Sequence, residues 1–321
     1  MKSLAEIMAN KPWAILPYKL TILQSLPLDS FFVMDKPPED SYLSMDENGI
    51  ATLRIHGVIG QRLGLFDKMF GGVSTEDIAA DFDRAMQSPD VKGVILHIDS
   101  PGGMVDGIQE LAEKIGQARG VKPIWAFTDG MMASGAYWVG SAAEKIFATP
   151  TSQIGSIGVV AMHRDLSRRE NMMGVKTTYI TSGKYKRMAN QAEPLTDEGR
   201  AYIQEMVDRM HAIFSADVAA NRKMSVGDVD GTEARIYLAG QARDLGLIDD
   251  FGNLNHVCRM LKDARSAAVL GQTAAERVRA ILQQKKESGK TRAGAIRELW
   301  AEFPELADEV YVTGGTASAG A

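Results

Sequence analysis

The hydrophobic and polar positions between about residue 50 and residue 250 follow two alternating periods. Within residues 51–60, Leu53 and Ile55 alternate with polar neighbours, which is the period of two of a half-buried strand. The apolar run at 91–98 is typical of a fully buried strand. The same reasoning predicts further strands over residues 123–127, 145–148, 157–162 and 176–181.

Helical periods separate these strands. The residues Ser74-Thr-Glu-Asp77 have the form of a capping box and open a helix with an apolar side. Further helices are predicted over residues 107–118, 134–143, 165–173 and 197–221, with a closing helix–turn segment over 237–249. The core face of the long helix is predicted from Ile203, Met206, Val207, Met210, Ile213 and Phe214. Because strands and helices alternate, we expect parallel strands with crossover helices and an α/β fold class.

Both ends of the chain lack the alternating strand and helix patterns of this central part. Prolines interrupt residues 1–45, which we interpret as an irregular arm for packing or assembly, with no chemistry of its own. The central domain covers residues 46–252. Residues 253–321 are interpreted as a helical C-terminal appendage, with helices starting near Thr273 and over 295–303 and a disordered tail over 313–321.

The composition narrows the classes of partner. The chain has 321 residues and a net charge of −5, so there is no electrostatic case for nucleic acid as a partner. Cys258 is the only cysteine, which rules out an intrachain disulfide and fits a reducing compartment. No cysteine–histidine zinc motif is present, and we expect neither a metal nor a cofactor.

No segment has the pattern of a membrane anchor. The uncharged stretch at 146–163 carries Pro150, Gln153 and several small polar residues, so it predicts two strands with a turn. The amino terminus lacks the pattern of a signal peptide, because Glu6 and Lys11 interrupt it. These features predict a cytoplasmic protein.

The first candidate for chemistry is Ser134, at the start of a predicted helix rich in small residues. A serine hydroxyl becomes a useful nucleophile when a nearby base takes its proton. The N–H of the next residue, Gly135, can point at a developing oxyanion. The alternative is that Ser134 is a helix cap among residues chosen for close packing.

The turn Asp99-Ser-Pro-Gly-Gly103 follows the apolar strand directly and is the second candidate. Its two glycines permit conformations that expose backbone N–H groups at the carboxyl end of the strand, where open α/β sheets bind ligands. The N–H of Gly103 is therefore a candidate second oxyanion donor. A plain tight turn is an equal alternative.

A base for Ser134 is less obvious. The five histidines are scattered outside any triad motif, and His97, inside a core strand, is expected to be structural. A lysine can act as the base if its amine is neutral, which requires a pKa lowered by burial or nearby positive charge. Lys184 and Lys186 follow a predicted strand, and each disfavours protonation of the other. The alternative is that both are solvated loop lysines.

Taken together, residues 50–250 resemble the signal peptide peptidase A (protease IV) family of serine–lysine peptidases and its phage capsid-assembly relatives. The resemblance rests on Asp99-Ser-Pro-Gly-Gly103, Ala133-Ser-Gly135, Lys145-Ile-Phe-Ala-Thr-Pro150, Gly155-Ser-Ile-Gly-Val159, Ser182-Gly-x-x-Lys186, and Gly240-Gln-Ala242 with Gly246-Leu-Ile-Asp249. It implies a fold similar to ClpP and crotonases, with a repeated β-β-α core.

The resemblance also implies roles for individual residues. Ser134 would be the nucleophile and Lys186 the general base, because the Ser-Gly-x-x-Lys spacing selects Lys186 over Lys184. Gly103 and Gly135 would supply the oxyanion N–H groups, and Ser156 would hydrogen-bond the lysine amine. In short family members the serine and lysine can come from neighbouring subunits of a ring, so a homo-oligomeric ring acting on a peptide or protein substrate is implied.

The chain departs from the family pattern in two places. Ala136 stands where family members often have a second glycine, which alters the pocket. The membrane anchor common among bacterial members is missing, which favours the phage-like branch. Two alternatives to a peptidase stay open, a crotonase-like acyl-CoA enzyme and an inactive homologue that serves as an assembly or scaffolding subunit.

Overall fold

The computed structural model describes residues 13–15, 41–63, 72–264, 278, 281–283 and 291–302. The strands are β1 (Trp13–Ile15), β2 (Leu43–Met45), β3 (Ile50–His56), β4 (Ile59–Gly60), β5 (Val73–Ser74), β6 (Gly93–Asp99), β7 (Gly102–Met104), β8 (Ile124–Thr128), β9 (Met131–Ala133), β10 (Lys145–Ala148), β11 (Gln153–Gly155), β12 (Ile236–Leu238) and β13 (Asp250–Phe251). The helices are α1 (Thr75–Gln87), α2 (Ile108–Gln117), α3 (Gly135–Ser141), α4 (Ser167–Met172), α5 (Asp197–Arg222), α6 (Val226–Asp230) and α7 (Ala239–Asp244).

A six-stranded sheet forms the centre of the fold, with strand order β13-β10-β8-β6-β3-β2. The neighbours from β3 to β13 run parallel, and only β2 is antiparallel to its partner. Parallel neighbours need a crossover connection, and α1, α2 and α3 supply it between successive strands. The predicted α/β class with parallel strands is therefore confirmed.

Each long strand of this sheet is followed by a short strand that leaves it. The strands β6, β8 and β10 lead into β7, β9 and β11, which pair in two smaller sheets of order β1-β7-β4-β5 and β12-β11-β9. After β7 and β9 the chain enters α2 and α3. This order of two strands and a helix, repeated along the chain, is the arrangement that the resemblance implied.

The core lies between the main sheet and the crossover helices. In α1, the buried Ile78 and Phe82 face it, and the Ser74 hydroxyl caps the helix by accepting a hydrogen bond from the Asp77 N–H at 3.3 Å. The short helix α3 is buried at every residue. It therefore sits as a central element with the ends of several strands around it.

Several predicted elements differ in the structure. Residues 157–162 and 176–181 do not form strands, and in the first segment only Val160 makes an isolated bridge, to Trp13. Residues 176–181 have no neighbouring strand in the described chain to pair with, and they are exposed. In α5, Phe214 is buried as predicted, whereas Ile213 is 44% exposed.

The chain divides into two compact units, Met1–Val257 and Cys258–Ala321. Residues 254–264 are helical, and a further helix runs over Arg292–Glu302, close to the one predicted over 295–303. Most of the predicted N-terminal arm, the predicted cap near Thr273 and the predicted tail at 313–321 lie outside the described residues. Within the described ranges, no helix combines the length and apolar character that crossing a membrane requires.

Candidate active site

Ser134 stands at the junction between β9 and α3, in a backbone conformation that L residues seldom adopt. Its φ is 55° and its ψ is −126°. Two backbone hydrogen bonds hold this conformation, from the Ser134 N–H to the Gly155 carbonyl at 2.7 Å and from the Trp138 N–H to the Ser134 carbonyl at 3.0 Å. Strained residues of this kind concentrate at functional sites.

The Ser134 side chain does not cap its helix. No side-chain capping bond forms at the start of α3, and the hydroxyl instead donates to the Gly158 carbonyl at 3.4 Å. The residue is only 1% exposed. The cap alternative is therefore not the one that the structure adopts, and the hydroxyl points toward the segment that follows β11.

Gly102 and Gly103 begin β7, and Gly102 lies directly beside Ser134. A Cβ on Gly102 would lie 2.8 Å from the Gly135 backbone nitrogen and 3.0 Å from the Ser134 Cβ. Gly102 also has a φ of 93°, and its N–H donates to the Ser100 hydroxyl at 3.1 Å. A Cβ on Gly103 would overlap the backbone of Ile59 on the opposite side. Both positions therefore require glycine, and Gly102 brings its backbone against the serine.

Backbone bonds between the ends of β6 and β9 fix this approach. The Ser100 N–H donates to the Met131 carbonyl at 2.7 Å, and the Ala133 N–H donates to the Ser100 carbonyl at 3.2 Å. The segment that leads into Gly102 and Gly103 is thereby attached to β9, the strand that precedes Ser134.

Ser156 lies close to the same junction. It follows Gly155, whose carbonyl accepts the Ser134 N–H, and it also has a positive φ of 53°. Its own N–H donates to the Arg235 carbonyl at 2.7 Å, and the residue is 7% exposed. Four of the predicted site residues, Ser134, Gly103, Gly135 and Ser156, thus belong to one cluster of neighbouring segments.

The predicted lysine lies on an exposed segment of the chain. Lys184 and Lys186 belong to a short 3-10 helix, Lys184–Arg187, in which no residue is buried. The Lys184 amine pairs with Glu198, and this hydrogen bond raises the pKa of Lys184 above its ordinary value. For Lys186, the structure records no side-chain hydrogen bond or ion pair to another described residue. The pairing makes Lys184 the poorer base, because an amine held protonated cannot accept a proton.

The histidine at the centre of the main sheet has partners of its own. His97 Nε2 lies 3.0 Å from Asp129 Oδ1, and its ring packs edge-on against His56 at 4.6 Å. Burial and the neighbouring His97 lower the pKa of His56. This arrangement agrees with a structural role for His97. Within the described ranges, no group of three or more His, Cys, Asp or Glu side chains is arranged to hold a metal ion.

The Gly246-Leu-Ile-Asp249 motif anchors the helix behind Ser134. The hydroxyl of Tyr137, in α3, donates to the Leu247 carbonyl at 2.8 Å, and burial raises the pKa of this tyrosine. Arg222 donates to the Gly246 carbonyl and to Asp249 at 2.9 Å, and Asp249 accepts the Ile146 N–H at 2.7 Å. The motif therefore ties α3, α5 and β10 together.

One further element of the site was missed in the sequence. The strand β1 lies antiparallel to β7, with Ala14 opposite Gly103. On its other side, Trp13 exchanges two backbone hydrogen bonds of 2.8 Å with Val160. A three-residue strand between prolines carries no periodic signal, so only its distant partners reveal it.

Comparisons with known proteins identify the family of the chain. The model of Peptidase family S49 matches residues 117–268, a range that contains Ser134, Ser156 and Lys186. The capsid assembly protease C of Escherichia phage lambda is 34% identical to the chain over 220 residues, which are 68% of this chain and 50% of that protein. The chain belongs to peptidase family S49. The predicted resemblance to the signal peptide peptidase A family and to its phage branch is thereby confirmed.

A second relative of this S49 protein comes from a bacterium. The putative signal peptide peptidase SppA of Enterococcus faecium is 30% identical over 207 residues, 63% of this chain and 60% of that protein. The chain thus spans about half the length of its phage relative and less than two thirds of the bacterial one. Among solved structures, a ClpP1 mutant from Listeria monocytogenes is similar with a TM-score of 0.41 and 17% identity, covering 64% of this chain and 92% of that chain.

Proposed function

We propose that this S49 family member is a serine endopeptidase that cleaves extended peptide segments through a Ser–Lys dyad and an acyl-enzyme. The observation that carries the proposal is Ser134, a buried serine in a strained backbone conformation, with Gly102 at the start of β7 packed against it and against the Gly135 nitrogen. Preorganised N–H groups beside a nucleophile are the main device by which acyl-transfer enzymes stabilise an oxyanion.

In the proposed reaction, the Ser134 hydroxyl attacks a peptide carbonyl while the base takes its proton. The carbonyl oxygen becomes an oxyanion that accepts hydrogen bonds from the Gly103 and Gly135 N–H groups. The C–N bond then breaks, the leaving amine takes the proton, and an ester to Ser134 remains. Water hydrolyses this ester with the same base, which releases the acid and restores the serine.

We assign the base to Lys186 of a neighbouring subunit, in a homo-oligomeric ring. Within one chain Lys186 is exposed and Ser134 is buried. The segment before the lysine also presents large apolar side chains to solvent, among them Met172 at 84% and Ile180 at 97% exposure. Exposed apolar patches of this kind mark interaction sites. Contact through this segment would bury these side chains and would bring Lys186 to another subunit, where Ser156 is the residue proposed to bind its amine.

The substrate proposal follows the phage relative. The lambda protein is named a capsid assembly protease, and the bacterial one a signal peptide peptidase. We propose that this chain cuts a structural or scaffolding protein during phage or prophage head maturation, in the cytoplasm. Degradation of signal-peptide-like segments is the second candidate within the same chemistry.

Two functions from other classes compete with the peptidase. A crotonase-like acyl-CoA enzyme would use the paired N–H groups without needing Ser134 or Lys186. An inactive scaffolding homologue would need neither the strained serine nor the glycine pair. The strain at Ser134 favours the peptidase over both, because it costs about 1–3 kcal/mol and neither alternative requires it.

The test is the cleavage of an unstructured protein such as casein by Ser134→Ala, by Lys186→Ala and by a mixture of the two. We expect each variant alone to lose cleavage by a factor of about 10³ or more. In an assembly that exchanges subunits, the mixture regains activity, since some sites combine an intact serine with an intact lysine. Lys184→Ala is the matched control and keeps cleavage near the unmodified rate. An active Lys186→Ala variant together with an inactive Lys184→Ala variant would reverse the assignment of the base.

A further inference from the structure

The strand β1 fills a gap between two backbone segments at Ser134. On one side it pairs antiparallel with β7, the strand that contains Gly102 and Gly103. On the other side it bonds to Val160, two residues beyond the Gly158 carbonyl that accepts the Ser134 hydroxyl. A chain segment with backbone partners on both edges is in the position of a peptide bound by strand addition.

Within β1, Ala14 is the residue next to the nucleophile. A Cβ added to Gly102 would overlap the Ala14 carbonyl oxygen. The same Cβ position is 2.8 Å from the Gly135 nitrogen. The same point is 3.0 Å from the Ser134 Cβ. The Ala14 carbonyl therefore lies among the groups that would stabilise an oxyanion.

The side chains of β1 alternate as those of a bound peptide would. Ala14 is fully buried and belongs to the main core. A Cβ added to Gly135 would lie 3.4 Å from the Ala14 Cβ and would overlap the Ile108 side chain. Trp13 and Ile15 point to the opposite side and pack against Met104 and Val160, among others. The pocket under Ala14 is thus closed by Ile108 and the α3 backbone, and it has room for a small side chain only.

We propose that Trp13–Ile15 is an intramolecular occupant of the peptide groove, with Ala14 at the attacked position. Two consequences follow. The groove recognises extended peptides that have a small residue at that position, and external substrate must displace β1. This inference rests on the proposed peptidase function and deepens it by naming the substrate class and a control of access. Because β1 is covalently attached, its effective concentration is on the order of millimolar, which makes it an effective competitor.

Opposite variants of the full chain test this inference. Ala14→Arg cannot fit the closed pocket, so it should expel β1 and expose Ser134. The pair Trp13→Cys with Val160→Cys should instead lock β1 in place. Residues that exchange both backbone hydrogen bonds have Cα atoms about 5.5 Å apart, which a disulfide can span. The readout is the rate at which a fluorophosphonate probe labels Ser134, measured by intact mass and peptide mapping.

We expect Ala14→Arg to be labelled about tenfold faster than the unmodified chain, and the oxidised double-cysteine variant about tenfold slower, with recovery on reduction. Val121→Arg, at a position 70% exposed, is the control that keeps the unmodified rate, and each single-cysteine variant should be labelled at the same rate in the oxidised and reduced states. Should Ala14→Arg fail to fold, the disulfide pair decides alone. Failure of that disulfide to form, or equal labelling in the oxidised and reduced states, would overturn the proposed occupancy.

A peptide with the sequence of residues 11–18 supplies the second readout. The Ala14→Arg variant should cleave it after the alanine, and replacement of that alanine by phenylalanine should slow cleavage about tenfold or more, since an oversized group does not fit a closed pocket. Equal rates would contradict the small-residue preference. Absence of Ser134 labelling in every variant would instead refute the peptidase function itself, so the two failures are distinguishable.

Discussion

At the scale of single residues, the site depends on backbone conformations that few residue types tolerate. Ser134 and Ser156 have positive φ values, and Gly102 and Gly155 reach φ values of 93° and 116° on neighbouring segments. The cost of these conformations is offset by hydrogen bonds such as that from the Ser134 N–H to Gly155. The result is a fixed position for one hydroxyl and for the two peptides packed beside it.

Gly102→Ala tests whether the space beside Ser134 matters separately from backbone strain. The new Cβ would overlap the Ala14 carbonyl and crowd the Gly135 nitrogen, so we expect peptidase activity to fall about 100-fold or more. The matched control is Gly120→Ala, because Gly120 has a similar φ of 81° and no atom within 4 Å of its added Cβ. Both changes should cost about 1–2 kcal/mol of unfolding free energy from backbone strain, but the control should keep its activity. Equal activity losses would contradict this explanation.

At the scale of elements, α3 carries the site because it is buried along its whole length and anchored at several points. Trp138 stacks on Phe214 of α5 at 4.4 Å, and its indole N–H donates to Asp217 at 3.0 Å. At the preceding position of the helix, the hydroxyl of Tyr137 donates to the Leu247 carbonyl. These contacts connect α3 to the long helix and to the turn before β13.

Tyr137→Phe tests this anchor through its pH dependence. Burial raises the pKa of Tyr137 above its ordinary value of 10.0, so the folded state holds the phenol protonated where the unfolded chain begins to ionise. The resulting stability is complete below about pH 10 and is lost as the pH rises further. We expect the unmodified chain to lose about 1.4 kcal/mol per pH unit more than Tyr137→Phe above that pH.

The measurement for this prediction is urea unfolding at about pH 9 and about pH 11. At the lower pH, the variant should be less stable by about 1 kcal/mol, because the Leu247 carbonyl loses its donor. Tyr179→Phe, at a position 40% exposed, is the control and should follow the unmodified chain. Parallel curves for Tyr137→Phe and the unmodified chain would show that the buried phenol does not have this role.

The elements that were predictable from sequence are those whose burial gives a local period. The parallel strand β6, the capped helix α1 and the short strand β10 have periodic or capping signals in their own residues. The segments that contain Ser134, Gly103 and Gly135 could be located from their motifs, whereas the roles assigned to these residues stay predictions. The strand β1 was not predictable, since three residues carry no period. The predicted strand at 176–181 was wrong, because residue types that favour a strand do not by themselves supply a pairing partner.

At the scale of the whole molecule, the exposed apolar side chains before Lys186 are the surface through which we propose that subunits assemble. Ile180 is 97% exposed, and Met173 and Tyr185 in the same segment are 66% and 52% exposed. Leaving such side chains in water is unfavourable by roughly 1.5–3 kcal/mol for each large one that could be buried. A subunit interface over this segment would recover that free energy.

Ile180→Asp should therefore reduce the oligomer to smaller species and abolish cleavage, while the unfolding temperature of the separated subunits changes little. Light scattering after size exclusion measures the mass, and casein cleavage measures the activity. Val121→Asp is the control, because Val121 is also exposed, at 70%, and lies before β8, apart from the lysine segment. A monomeric unmodified chain that cleaves casein would contradict a dyad shared between subunits.

The central claim is that Ser134 is the nucleophile of a peptidase. The most direct measurement is the mass-spectrometric mapping of the residue modified when the native assembly reacts with a fluorophosphonate. We expect one adduct per chain, on Ser134, with loss of casein cleavage in proportion to labelling. Full labelling of a different residue, or full cleavage activity in a chain whose Ser134 is quantitatively modified, would contradict it.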